Sequence, residues 1–165
     1  MNKGEQSRRA ISEALLRLMM DNEYSKITLQ NIVDNAGVSR MAFYRNFESK
    51  EDVIRYWLKG VTDQFVAESG ISYKDDAPRD YFITLFTHLV RYREVCETLC
   101  KAGLSHLLKG EFDRVFLSVH SGEYDDYKSY FHAGGIYNVF LLWLMRGCPE
   151  TPQELADKLS DIMVR

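Results

Sequence analysis

An all-α fold is what this sequence predicts, on three observations. Apolar residues recur at helical spacing through most of the chain. Serine, threonine and glycine stand where helix ends call for them, and no segment alternates apolar and polar residues as a half-buried strand does. Its 165 residues, 45% apolar with three prolines, suffice for a packed core and argue against a disordered or fibrous chain. No internal repeat or low-complexity tract interrupts the pattern.

Element by element, Ile11, Ala14, Leu15, Leu18 and Met19 form one buried stripe, while Arg8, Arg9, Glu13 and Arg17 fall elsewhere; this helix ends near Asp21-Asn22. A short second helix runs from Thr28, its N-cap, to Ala36, with Gly37 at the left-handed C-terminal position. Ser39 caps a third, from Arg40 to about Phe47, with Phe43 and Phe47 on one face. Ser49 and Asp52 open a fourth helix as the aspartate form of a capping box. Its stripe of Val53, Ile54, Trp57, Leu58, Val61 and Phe65 runs out of the head. A loop is expected over SGISYKDDAP, then a helix from Tyr81 to about Cys100, shorter helices over Ser105 to Val119, and a turn at Ser121 to Asp126. Tyr127 to Met145 is a long helix, apolar almost all round from Ile136, closed by Arg146-Gly147. Pro152 opens the last, with Leu155, Leu159, Ile162 and Met163 apolar.

The net charge of −3 discourages a nucleic-acid partner until it is divided. Residues 1–60 hold 10 Lys/Arg against 8 Asp/Glu, whereas the remainder holds 11 against 16. A mildly basic end on an acidic body suggests that only the first part faces a polyanion. The longest apolar run, Val139 to Met145, is far short of the ~20 residues of a membrane span. The N-terminus shows no signal-peptide segment, so a cytoplasmic location is expected. Three cysteines, an odd number without short paired spacing, build neither a disulfide framework nor a zinc ribbon, and no cofactor or metal is expected.

Two short helices joined by Ala36-Gly37-Val38-Ser39 meet the needs of a helix-turn-helix: glycine reverses the chain, valine plugs the angle and serine restarts the backbone. With Phe43 and Phe47 inward, Met41, Ala42 and Arg45 face out, flanked by Tyr44 and Asn46. Such a helix fits a major groove about 12 Å wide. Arg45 and Asn46 are suited to guanine and adenine edges, Arg40 to base or phosphate, and Ala42 to a thymine methyl. Thr28 at a helix N-terminus, Lys50, Tyr44 and the arm residues Arg8 and Arg9 are the expected phosphate contacts. Ser39 completes the candidate DNA-binding set.

The run ITLQNIVDNAGVSRMAFYRNFESKEDV, Ile27 to Val53, resembles the DNA-binding signature of TetR-family transcriptional regulators. There AGVS precedes an aromatic pair, a Tyr-x-His-Phe segment and a Ser-Lys-Glu helix start. Tyr44, Phe47, Ser49, Lys50 and Glu51 match, while Asn46 stands where histidine is commoner. FHAGGIYNVFLLWLMRGCPETPQELADKL also resembles the family's final two helices. The resemblance implies a helix-turn-helix DNA-binding domain at 1–48. A helical effector-binding and dimerisation body at 49–165 would follow, joined by the connecting helix 49–68. It further implies a homodimer on a palindromic operator, paired through the last two long helices, with a repressor role commonest. Contacts between copies are then expected of Tyr137, Phe140, Leu141, Leu144, Leu155 and Leu159. From the residues alone, the helix from Ile136 to Met145 is either the monomer's central core or a face for another chain; the second reading is favoured, with Gly134-Gly135 allowing close approach.

Phe82, Phe86, Phe112, Phe116 and Tyr130 are candidates to line a pocket for an apolar or aromatic effector, although most such rings are expected simply to fill the core. Cys96 and Cys100, four apart, with His88, His106, His120 and His132, invite a redox or metal-sensor reading; small core residues are the commoner outcome. No nucleophile, base and orienting group stand at motif spacing, so an enzyme is not expected. The competing class is an interaction protein that keeps the fold but docks another regulator or enzyme, with weak DNA binding.

Overall fold

The computed structural model describes residues 3–69, 78–119 and 126–163, and every regular element among them is helical. These are α1 (Lys3–Asp21), α2 (Leu29–Ala36), α3 (Arg40–Asn46), α4 (Lys50–Ser69), α5 (Pro78–Val90), α6 (Arg93–Lys101), α7 (Ser105–Val119), α8 (Asp126–Met145) and α9 (Pro152–Met163), with a 3₁₀ turn at Tyr24–Lys26. The expected loop and turn fall largely on 70–77 and 121–125, outside the described residues.

Local chemistry sets the ends of α2 and α3. The Thr28 hydroxyl accepts from Asn31 N at 3.2 Å, while Thr28 N donates to Asn31 Oδ1 at 2.8 Å, a reciprocal capping box. Gly37 terminates α2 at φ 65°; its N–H bonds Asp34 O, and Val38 N bonds Val33 O at 3.0 Å, closing a Schellman turn with Val38 packed on the core. Ser39 Oγ then accepts from Ala42 N at 3.1 Å, and Ser49 Oγ from Asp52 N at 3.1 Å. At the other end of the chain Thr151 and Glu154 form a second reciprocal box that starts α9.

Two expectations for the body are corrected. The single helix from Tyr81 to Cys100 is broken between α5 and α6 at Arg91-Tyr92, where Arg91 N and Tyr92 N make three-residue bonds to His88 O and Leu89 O. The break sets the Tyr92 ring edge-on to Trp57 of α4, 5.5 Å between centroids, and 5.2 Å from the His88 ring. Residues 105–119 form one helix rather than several shorter ones: Gly110 is carried inside α7.

One core runs from head to body. Ile11, Leu15, Ile32, Phe43 and Phe47 join Val53, Ile54 and Leu58 of α4, and these continue to Phe82, Phe86, Leu99, Phe140 and Trp143. α4 is the connector: it packs on α1 in the head and on α7 in the body, while α5 lies along α9.

Candidate nucleic-acid interface

α3 is held by its inward face and displays the rest. Phe43 and Phe47 are buried beside α1 and α2, which places Arg40, Met41, Tyr44 and Arg45 at the surface; Met41 is 79% and Tyr44 63% exposed. Met41 and Tyr44 thus add apolar surface to the cationic side chains Arg40 and Arg45 on the open face of α3. Beside α3, the α2 N-terminus spends Thr28 on its cap, so the first-turn amides of α2 and its dipole remain the anion-attracting feature there.

The sequence-predicted contacts divide. Arg40, Met41, Tyr44 and Arg45 share the outer surface, with Ser39 and Thr28 at its edge as caps. Ala42 is half-buried. Asn46 is half-buried too, and its amide donates to Ala42 O at 2.6 Å, so the donor that an adenine contact needs is engaged within its own helix. Lys50 departs furthest from a phosphate-binding side chain. Its Nζ donates to Tyr24 O and Ile27 O, both at 2.8 Å, and lies 4.2 Å from the centre of the Tyr24 ring. Burial holds this amine below the ordinary lysine range. Lys50 ties the start of α4 to the chain entering α2, and its charge sets the posture of that entry.

Two residues the sequence reading passed over complete the surface. Gln30 accepts from Arg40 Nε at 2.8 Å and donates to Asp34 at 2.6 Å. Asn31 is the reciprocal partner of Thr28. The Thr28-x-x-Asn31 spacing could have revealed the second; the first joins residues ten apart on different helices and has no local signature. Tyr56 of α4, its ring edge-on to Phe47, donates to Glu5 of α1 at 2.6 Å, and burial, reinforced by that bond, pushes the phenol up to about 12.

In the body, a small apolar cavity of about 40 Å³ lies between α4, α5, α7 and α8. Phe112 and Phe116 line it, together with Phe65, Leu85, His88 and the polar pair Thr62 and Glu111. The other pocket candidates are elsewhere: Phe82 and Phe86 are fully buried in the core, and Tyr130 is exposed. At the cavity wall Arg114 Nη2 donates to Glu111 at 2.6 Å and to Thr62 and Asp63 at 2.9 Å, and the Thr62 hydroxyl donates to Glu111, so α4 and α7 are laced together there.

The residues expected at a dimer contact also divide. Tyr137, Phe140, Leu144, Leu155 and Leu159 are buried in the chain's own core, and Leu141 is half-buried. The exposed face of α8 is a different stripe, Tyr127, Phe131, Gly135, Asn138, Leu142 and Met145, spaced three and four apart. A methyl group placed on Gly134 or Gly135 would meet nothing within 4 Å. Cys96 is buried, and burial, aided by the nearby Cys100 and Cys148, lifts its thiol to about 12; Cys100 and Cys148 are raised by burial as well, which disfavours the reactive thiolate. Among the described residues no group of three or more His, Cys, Asp or Glu is arranged to hold a metal, and no helix is long and apolar enough to cross a membrane.

A helix-turn-helix whose outer helix displays arginine and tyrosine, on an all-helical body, defines the architecture of a DNA-binding regulator. Residues 11–56 match the family model for bacterial regulatory proteins of the tetR family, and residues 76–165 that for a transcriptional regulator C-terminal region. The fold is shared with the TetR transcriptional regulator from Streptococcus agalactiae 2603V, at 20% identity and TM-score 0.67, covering 98% of this chain and 95% of that one. It is shared also with the dihydroxyacetone kinase operon activator DhaS, at 16% identity and TM-score 0.63, covering 96% and 94%. No curated protein matches. The chain belongs to the TetR family of transcriptional regulators.

Proposed function

We propose that this regulator acts as a homodimer that seats α3 of each copy in successive major grooves of a palindromic operator, represses transcription from it, and is modulated by a small apolar or aromatic effector in the body, 49–165. The observation that carries the reading is the exposed set Arg40, Met41, Tyr44 and Arg45 beside the α2 N-terminus. One seven-residue helix reads few bases and binds weakly; two copies about 34 Å apart add their free energies. The apolar face of α8 supports pairing, since Tyr127, Phe131 and Met145 are 90%, 76% and 75% exposed. Such a regulator works in the cytoplasm, where its operator is.

The cavity between α4 and α7 has room for little beyond solvent, so an effector enters by parting the two helices. That parting breaks the bonds of Arg114 to Asp63 and of Thr62 to Glu111. Because α4 also holds the head through α1, an effector that prefers the parted state disfavours the operator-bound spacing by the same coupling free energy. One structural neighbour bears the name of an operon activator. A promoter-reporter assay with and without the protein fixes the sign of regulation here.

Footprinting on the DNA upstream of its own gene tests the reading. Two protected half-sites one helical turn apart are expected; a single unphased protection would overturn it. The inward engagement of Lys50 and Asn46 favours a second reading, a TetR-fold protein that docks another protein, because two of the expected DNA contacts of an already mildly basic head are bonded within the chain. That reading predicts weak, sequence-independent DNA binding and a stable protein complex.

A further inference from the structure

We propose that Gln30 of α2 is a positioning residue for sequence readout, acting through Arg40 rather than by touching DNA. This rests on the DNA-binding reading above. Gln30 stands in the first turn of α2 and Arg40 begins α3, so the pair bridges the two helices of the helix-turn-helix. Its Oε1 accepts from Arg40 Nε at 2.8 Å and its Nε2 donates to Asp34 Oδ1 at 2.6 Å. The orientation of the amide follows from its neighbours: a guanidinium can only donate and an ionised carboxylate can only accept, so Gln30 fits between them one way round.

The arrangement has two consequences. Arginine carries five N–H donors, and binding Nε from the side leaves the two terminal NH₂ groups, the pair that meets a guanine edge or a phosphate end-on. Gln30 also occupies the space between Arg40 and Asp34. Without it Asp34, one turn along α2, competes for the guanidinium directly and turns it back onto the protein. Tethering a long, flexible side chain before DNA arrives also removes part of the ordering cost of binding.

The test is a double-mutant cycle on the full-length chain, with Gln30→Leu, Arg40→Ala and the pair, titrated against the footprinted operator and against variants of it at each base pair. Gln30→Leu alone is expected to weaken operator binding roughly fivefold to tenfold and to flatten the preference at the base pairs where Arg40→Ala flattens it. In the Arg40→Ala background it should have no further effect, with Tm unchanged throughout. Undiminished loss from Gln30→Leu in that background would mean that Gln30 itself contacts DNA, and a loss matched by a lowered Tm would mean a packing role; either overturns the proposal. Gln30→Asn, too short to span both partners, should behave as Gln30→Leu. If wild type shows no operator preference at all, it is the DNA-binding reading that fails, and the cycle is not its cause.

Discussion

α3 and α8 both show large side chains to solvent, and what accompanies those side chains separates the roles proposed for them. On α3, Met41 and Tyr44 stand among Arg40 and Arg45; on α8, Tyr127, Phe131, Leu142 and Met145 share their stripe with a glycine and an asparagine. A mixed cationic and aromatic surface repays contact with a polyanion carrying flat bases, whereas an uncharged apolar stripe repays contact with its like. Exposure alone does not mark a partner, since Met20, Val66 and Ile162 are open as well; the proposal rests on the residues interleaved with the exposed side chains.

The most disruptive way to break the contrast is to charge the α8 stripe. Leu142→Asp with Met145→Asp should give a folded monomer by sedimentation and cost at least about a thousandfold in operator affinity, because each head then binds alone. Phe140→Ala, on the same helix but facing inward, should instead lower stability by about 3–5 kcal/mol in chemical denaturation, as expected for a ring buried in the core. On α3, Tyr44→Ala with Arg45→Ala should reduce operator discrimination by about 1–3 kcal/mol for each base that is no longer read, and leave Tm in place. Lys50→Met sharpens the comparison within the head. Losing two bonds from a charged donor should lower stability by about 2 kcal/mol. The slope of log affinity against log salt should stay as in wild type, whereas Arg45→Ala reduces it by about one.

The smallest effect is a pH dependence at the α1–α4 contact. The phenol of Tyr56 is raised to about 12 in the fold against about 10 unfolded, so the folded state holds its proton longer. Its contribution is complete below pH 10 and is lost as pH rises toward 12, and Tyr56→Phe should remove that dependence in alkaline melts. Tyr56 is half-exposed and the effect is correspondingly modest.

Much of the head was legible in the sequence because its boundaries are written in local chemistry. Thr28, Gly37, Ser39 and Ser49 each act within three or four residues, and the structure places all four at helix ends, Ser49 with the forward half of its expected box, the Asp52 N bond. The inward bonds of Lys50 were not legible, because a lysine at the start of a helix looks exposed and its acceptors, the carbonyls of Tyr24 and Ile27, lie more than twenty residues back. Asn46 sits on a flank of α3, where a helical wheel cannot say whether an amide turns outward or back to its own backbone.

The body was legible as helices and far less so as faces. No proline or glycine marks the break at Arg91-Tyr92, which sets the Tyr92 ring edge-on to Trp57, a contact between residues far apart in the chain. α8 is so evenly apolar that periodicity cannot choose its inner side, and Tyr137, Phe140 and Leu144 turned to the core while Leu142 and Met145 turned out. Pocket candidates chosen for aromatic character split the same way, since a ring fills a core as readily as it lines a cavity.

The proposed division of labour between α3 and α8 is tested most directly by the specificity ratio of the wild-type protein: its affinity for the DNA upstream of its gene divided by that for a shuffled sequence of equal length, at one fixed salt concentration. A ratio of about a thousand or more, lost in the Leu142→Asp and Met145→Asp dimer-breaking variant, is the predicted result. Equal affinity for the two DNAs, or a ratio untouched when the chain is monomeric, would contradict the account.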